Sequence, residues 1–430
     1  MAKAERRVLV VSYTFPPTGG AGVQRVAKFV KYLERFSWQP VVLTALNPSV
    51  PLTDHSLLAD IPSGVAVHKA KTYEPSYSIK QGGGPSRGGI KSRVLRLVKK
   101  VAMGLLLPDA QVLWWPHLTL KARDLLRARA VDCVFVTSPP YSALVPVVFL
   151  AKRYGVPVII DFRDEWTFSR EQWENATKNT LSRSIDAFLE GYVLKNCTRF
   201  TAATQSYVTS ILSRYPTLDP GKGRAITNGY DSEDLPEGEL VSESQQISFV
   251  YTGTVWNATS LRPFMNAVHA LVEQRPELRQ RLRCRIIGRV VDSELDAFSG
   301  PASDCVTFLG YVEHKEAISE MFKADVLLLS LSDLPGAGRI FPGKVFEYLA
   351  TGKHVFGIVP RGETWDLLAD EYRNSTLALP SEPGEVLAKL VHVIENIGEV
   401  RCRCAQDVSK YSRFQLTEQL ASMFDSCVGS

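Results

Sequence analysis

The sequence predicts an α/β protein made of two doubly wound parallel sheets. Short apolar runs alternate with helix-length segments along the whole chain, as parallel strands joined by crossover helices do. The runs form two sets. Between them Asp231, Ser232, Glu233, Asp234, Pro236, Glu237 and Gly238 make a polar stretch without periodicity. With 430 residues, 45% of them apolar and 22% charged, the chain has material for two cores.

In the first set, strands are expected near residues 8–12, 40–44, 65–68, 132–136, 157–161, 199–203 and 224–227. In the second they are expected near 247–251, 282–287, 305–308, 325–330 and 354–358. The opening run Val8-Leu9-Val10-Val11 follows Lys3, Arg6 and Arg7. It is too short for a signal peptide and gives way to Pro and Gly, so it reads as a buried first strand. The run from Ala143 to Ala151 is also short, and no stretch approaches the roughly 18 apolar residues of a membrane span. Gln81 to Gly89 reads as a flexible segment inside the first domain. Arg413 to Cys427 has helical spacing in Leu416, Leu420, Met423 and Phe424. The expected division is 1–232, 233–408 and a terminal helical segment, 409–430.

Composition excludes some functions. A net charge of +5 is mild, which argues against a nucleic-acid binder. Seven cysteines, an odd number with no paired framework, point to a reducing cytoplasm. Cys402 and Cys404 have no nearby Cys or His set to complete a metal site, and no Asp-x-Asp element stands at a convincing site. No metal and no cofactor is expected. From Ile90 to Leu107, one helical stripe is apolar and the other carries Lys91, Arg93, Arg96, Lys99 and Lys100. Such a helix suits an anionic membrane surface, giving a peripheral position at the inner face of the cell membrane, or else a domain helix with its basic face in water.

The segment richest in chemistry is Phe341-Pro342-Gly343-Lys344-Val345-Phe346-Glu347-Tyr348. Pro and Gly turn the chain into a helix that starts at about Gly343, and Lys344 and Glu347 then share a face. A cation there suits a diphosphate, because the free N–H groups and the dipole already favour an anion. A carboxylate one turn on can accept two ribose hydroxyls. A capped surface helix with an incidental ion pair would read the same way. This segment resembles the nucleotide-sugar motif of glycosyltransferase family 4. Other elements resemble the same family in order. They are the glycine loop of Gly19, Gly20 and Gly22 after the first strand, Asp161-Phe162-Arg163-Asp164-Glu165-Trp166, Asn228-Gly229-Tyr230-Asp231 and Thr252-Gly253-Thr254. The Asp-x-Arg-Asp-x-Trp element is that of a bacterial branch.

The resemblance implies a GT-B fold. Two Rossmann-like domains face each other across a cleft, and the C-terminal helix crosses back to the first. The first domain would bind the acceptor, through Ser138, Asp161, Arg163 and Asp164 at strand C-termini. Asp164 would meet an acceptor hydroxyl and Arg163 would hold it; a structural ion pair is the other reading of that cluster. The donor would be held by Gly20, Gly22, Gly253, Thr254, Gly288, Arg289, Tyr311, Arg339, Gly343, Lys344 and Glu347. Arg25 is expected on the helix surface rather than on a phosphate. Catalysis is assigned to Lys344, supported by Arg262, with Asp164 at the acceptor. The chain departs from the family pattern in three places. Ser138-Pro139-Pro140 stands in the region of the usual histidine, Thr254 and Thr259 replace an Arg and a Lys, and Arg339 replaces the first of two glutamates. Gly336-Ala337-Gly338 is the expected replacement source of backbone N–H groups for the donor sugar. The activity implied is retaining, metal-independent transfer of a sugar from a UDP- or GDP-sugar to a cell-surface glycan, glycolipid or other glycoside. A nucleotide-sugar epimerase of the same fold and a non-catalytic nucleotide-sugar binder are the alternatives.

Overall fold

The computed structural model describes residues 6–50, 52–74, 106–167, 180–236, 246–402 and 406–429. The chain divides into two compact units, Met1–Thr227 with Leu416–Ser430, and Asn228–Gln415.

The first unit is built on a seven-stranded parallel sheet. Its strands are β1 (Arg6–Val11), β2 (Trp38–Ala45), β3 (Ala66–Ala70), β4 (Cys133–Ser138), β5 (Val158–Phe162), β6 (Arg199–Ala202) and β7 (Gly223–Ala225). They lie in the order β3-β2-β1-β4-β5-β6-β7, so the order reverses beside β1, where a doubly wound sheet opens its ligand crevice. The apolar run Val8–Val11 is fully buried in the middle of the sheet. That is why a central parallel strand reads as continuous rather than alternating hydrophobicity. The C-terminal helix Arg413–Val428 belongs to this unit from Leu416 onward and seats Leu420, Met423 and Phe424 in its core. Phe424 meets Trp38 edge-on with ring centroids 5.2 Å apart, and the indole N–H of Trp38 donates to Asp425 at 2.9 Å.

The second unit has a six-stranded parallel sheet, β10-β9-β8-β11-β12-β13. Its strands are β8 (Ile247–Thr252), β9 (Leu282–Ile287), β10 (Val306–Gly310), β11 (Val326–Ser330), β12 (His354–Ile358) and β13 (Ser375–Ala378). Helices Arg262–Gln274 and Pro383–Glu395 bury their apolar residues in one core. Helices His314–Lys323 and Lys344–Thr351 contribute to another. β13 was not expected. It is four residues long, at a sheet edge, and Ser-Thr-Leu-Ala has neither an apolar run nor alternation. Tyr230 N–H donates to Tyr411 O at 3.1 Å and Arg413 N–H to Tyr230 O at 2.7 Å, so the segments leaving and rejoining this unit are laced together.

The basic stripe expected over 90–107 falls, up to residue 105, outside the described residues. Among the described residues no helix is long and apolar enough to cross a membrane.

Candidate functional site

In the second unit three strand ends meet through glycine backbone. Gly253 N–H donates to Ile287 O and Gly288 N–H to Gly310 O, both at 2.7 Å. A Cβ on Gly288, whose φ is 126°, would lie 2.3 Å from the Gly253 carbonyl oxygen. Only glycine allows that approach.

Helix Lys344–Thr351 starts beside this layer. Its Val345, Phe346, Tyr348 and Leu349 face the core. The Tyr348 hydroxyl accepts from Thr252 N–H at 3.1 Å, which pins the helix to the end of β8. The Lys344 Nζ is thereby fixed 3.7 Å from the Tyr251 ring centroid and 3.0 Å from where a Cβ on Gly253 would be. It is buried, and among the described residues it has no hydrogen-bond partner. Burial pushes its pKa down to about 7, against a pull upward from Glu347. Buried polar groups are normally satisfied, so an unanswered ammonium marks a place for an anion. Glu347 Oε1 lies 3.6 Å from His314 Nε2, which is also 3.4 Å from Asp234 Oδ2.

Of the expected donor residues, Gly253, Gly288, Gly343, Lys344 and Glu347 are thus linked by these contacts and by the helix start. Thr254 and Arg289 are exposed, and Tyr311 follows Gly310 with 46% of its surface exposed. Arg262 is engaged by residues of its own surroundings. Its guanidinium forks onto Asp296 at 2.7 and 3.0 Å and reaches Ser293 O, on the surface. Arg339 lies in the turn Ala337–Arg339. The N–H groups expected there for a donor sugar are in part already used, since Ala337 N–H donates to Leu334 O at 2.9 Å. A Cβ on Gly338 would lie 2.3 Å from Arg361 O, so this glycine serves backbone packing.

The first unit corrects several expectations. Arg25 is not on the surface but 1% exposed. It forks onto Asp161 at 2.8 and 3.1 Å and donates to the carbonyls of Ile226 and Thr227. Asp161 is wholly buried and also accepts from Thr137 and Thr201 at 2.8 and 2.7 Å. Burial alone would raise its pKa, but Arg25 and the hydroxyls outweigh it and hold the carboxyl below the usual carboxylate range. Asp161 therefore has no oxygen to offer an acceptor. Ser138 is equally buried and donates to Asp161 O. Arg163 donates to the carbonyls of Gly22, Ser138 and Pro139. It ties the glycine loop to the end of β4 rather than clasping an acceptor. A Cβ on Gly22 would lie 2.8 Å from Arg163 Nη1, so alanine there would shift the guanidinium, and Gly20, with φ 103°, precedes the helix Ala21–Leu33. Asp164 is exposed, and its backbone carbonyl accepts from the Tyr141 hydroxyl at 3.1 Å.

Sequence reasoning missed Tyr251, Tyr348, His314 and Asp234. Tyr251 stood only as the end of an expected strand and Tyr348 only as the end of the Lys344 segment, and both are buried. His314 opens a helix with no motif around it. Asp234 read as loop.

The two parallel sheets, each with its glycine loops at the strand C-termini, are those of the GT-B fold. More particularly, residues 19–229 match the family described as glycosyl transferase 4-like domain, and residues 246–396 the one described as glycosyl transferases group 1, so the chain carries both domains in that order. No curated protein matches it in sequence. Its fold is similar to that of Anabaena HepE in complex with UDP, at TM-score 0.63 and 13% identity over 98% of this chain and 100% of that one. A trehalose-6-phosphate protein from E. coli bound with UDP-2-fluoro glucose gives 0.60 and 14%, covering 97% and 98% of the two chains. A UDP-N-acetylglucosamine 2-epimerase assignment from Listeria monocytogenes gives 0.58 and 10%, covering 98% and 96%. At these identities the likeness is one of fold.

Proposed function

We propose that the protein is a retaining, metal-independent glycosyltransferase. It moves a sugar from a UDP- or GDP-sugar to a glycan, glycolipid or other glycoside. The observation that carries this is the buried Nζ of Lys344 at the start of a helix, without a hydrogen-bond partner among the described residues and with Glu347 one turn on.

In such a transfer the bond from the anomeric carbon to the diphosphate breaks while positive charge grows on the sugar ring. The leaving diphosphate then carries the developing negative charge. A preorganised cation in a dry site stabilises that charge without reorganising. Lys344 is that cation, and the N–H groups of its helix start add to it. Glu347 accepts the ribose hydroxyls of the donor, with His314 steadying its carboxylate. Arg262, the expected second cation, forks onto Asp296 on the surface and would have to leave that pair to reach a diphosphate. Asp164 in the first unit is the acceptor-side group. The acceptor class rests on family likeness alone.

The test is a thermal-shift screen against UDP- and GDP-sugars, followed by incubation of the binding donor with and without glycoside acceptors. A ligand that binds only the folded state raises the midpoint by mass action. Transfer with retained anomeric configuration is the expected outcome. A changed sugar without acceptor would mark an epimerase instead, and binding without any turnover would mark a non-catalytic binder.

A further inference from the structure

We propose that Tyr251 is a positioning residue that sets the charge of Lys344, so that the diphosphate of a nucleotide sugar is bound with uptake of a proton. This rests on the donor reading above and adds how the cation is held before the donor arrives.

The geometry carries the proposal. The Tyr251 ring lies 3.7 Å below the Lys344 Nζ, and its hydroxyl donates to Thr254 O at 3.0 Å. One aromatic side chain thus joins the cation to the loop that follows β8. Thr254 O also accepts from Thr259 Oγ1 at 2.6 Å, so the loop end of this connection is fixed twice. At the other end, no acceptor among the described residues replaces the water that Nζ loses on burial. An ammonium in that position is disfavoured by desolvation, and the electron-rich face of the ring returns part of the loss.

The other groups near Lys344 do not supply the missing charge balance. Glu347, on the same helix, favours the protonated amine but lies against His314 and, through it, Asp234. Tyr348 is spent on Thr252. The outcome is an amine whose pKa, burial being the main cause, is brought down to about 7. A diphosphate diester brings two negative charges and no group that titrates near neutrality. Its arrival favours the protonated form, so above pH 7 the neutral amine takes one proton from solvent as the donor binds. One N–H bond forms on Lys344 as the bond holding that proton on a buffer acid breaks, and no covalent bond of the donor changes. Affinity then falls about tenfold for each pH unit above 7, until the amine of the complex itself begins to lose its proton.

Two measurements test this. The first is the pH titration of the Lys344 ¹³Cε resonance, assigned by its absence in Lys344→Arg, in the ligand-free wild type, Tyr251→Phe and Tyr251→Leu. A midpoint near 7 is expected for the wild type. Tyr251→Phe, which keeps the ring and loses the hydroxyl, should retain it, and Tyr251→Leu should lower it by a unit or more. The second is calorimetry of UDP-glucose and GDP-glucose binding at pH 8 in two buffers of different ionisation enthalpy, where uptake of close to one proton is expected. A wild-type midpoint near the ordinary lysine value of 10.5 would overturn the proposal. So would an unchanged midpoint in Tyr251→Leu, or binding without proton uptake. If neither nucleotide sugar binds from pH 6 to 9 while the midpoint is near 7, the donor reading fails, and the proton uptake with it.

Discussion

Arg25 and Lys344 occupy comparable places, and the two units treat them in opposite ways. Each is a buried cation near the start of a helix that follows a glycine loop. Arg25 has its charge answered by Asp161 and its remaining donors by the carbonyls of Ile226 and Thr227. Lys344 has a ring face, the pull of Glu347 and, among the described residues, no hydrogen bond. A buried charge whose partners are all in the fold is part of the fold. One whose partners are missing is held for something that arrives later. Side-chain type alone does not separate the two cases. Before the structure, Arg25 read as a surface residue, and either cation was open to a structural or a phosphate-binding role.

The largest expected effect is on the first of the pair. Arg25→Ala leaves Asp161 ionised, wholly buried and short of its counter-charge, which should cost about 3–5 kcal/mol. Arg25→Lys should recover little of this, because one ammonium cannot meet two carboxylate oxygens and two carbonyls in the geometry of the fork. Urea unfolding measures both. A loss below about 1 kcal/mol in the alanine variant would mean that the pair is not the anchor its geometry suggests.

Lys344→Ala should behave in the reverse sense. Turnover should fall by 10²-fold or more, as for loss of one transition-state donor worth about 2.7–4 kcal/mol, while stability is kept or improved. The pH dependence gives a sharper check. The amine titrates at about 7 in the folded chain and near 10.5 when exposed. Between those values the unfolded chain holds more protons, so wild-type stability rises with pH from 7 toward 10.5. Below pH 7 the whole cost of the buried ammonium is present. The isosteric Lys344→Met should therefore be more stable than wild type chiefly below pH 7, and the advantage should vanish above about pH 10. An advantage that grows with pH would contradict the burial of this charge.

Glu347→Ala should act one step earlier in the reaction. Ribose contacts exist before and during transfer, so donor affinity should weaken while turnover of the bound donor changes little. Hydrogen bonds to a charged group are worth about 1.5–3 kcal/mol, roughly tenfold to a hundredfold in Kd. Direct binding measurements decide it, and an unaltered Kd would remove Glu347 from the ribose.

Much of the fold was legible in the sequence because its signals are local. Buried parallel strands such as Val8–Val11 and Val326–Ser330 are continuous apolar runs, and Pro342-Gly343-Lys344 announces a helix start. β13 was illegible for the same reason, since a half-polar edge strand has no local signature. At the site, placement was legible wherever a motif fixed the backbone, as at Lys344 and Glu347, which lie in one short helix as expected. It was illegible where the outcome depended on what stands opposite. Nothing near residue 161 in sequence says that Arg25, Thr137 and Thr201 converge on Asp161. Nothing near residue 344 says that Tyr251 lies beneath its amine.

The smallest expected effects come from a matched pair of glycine substitutions. In Gly22→Ala the new Cβ would lie 2.8 Å from Arg163 Nη1, and in Gly253→Ala 3.0 Å from Lys344 Nζ. Gly22 is in helical conformation, so alanine gains about 1 kcal/mol of helix propensity there. That offsets much of the displacement of a guanidinium held by three carbonyls. Net stability should change by about 1 kcal/mol or less, and donor affinity not at all. Gly253 has φ 112°, which an alanine adopts only with strain of about 1–3 kcal/mol. The Lys344 amine has no hydrogen bond among the described residues to resist the push, so the damage should fall on it. Donor affinity and turnover should both decline, and the pH midpoint of binding should move. Equal loss of donor affinity in the two variants would erase the distinction between the anchored and the unanchored cation.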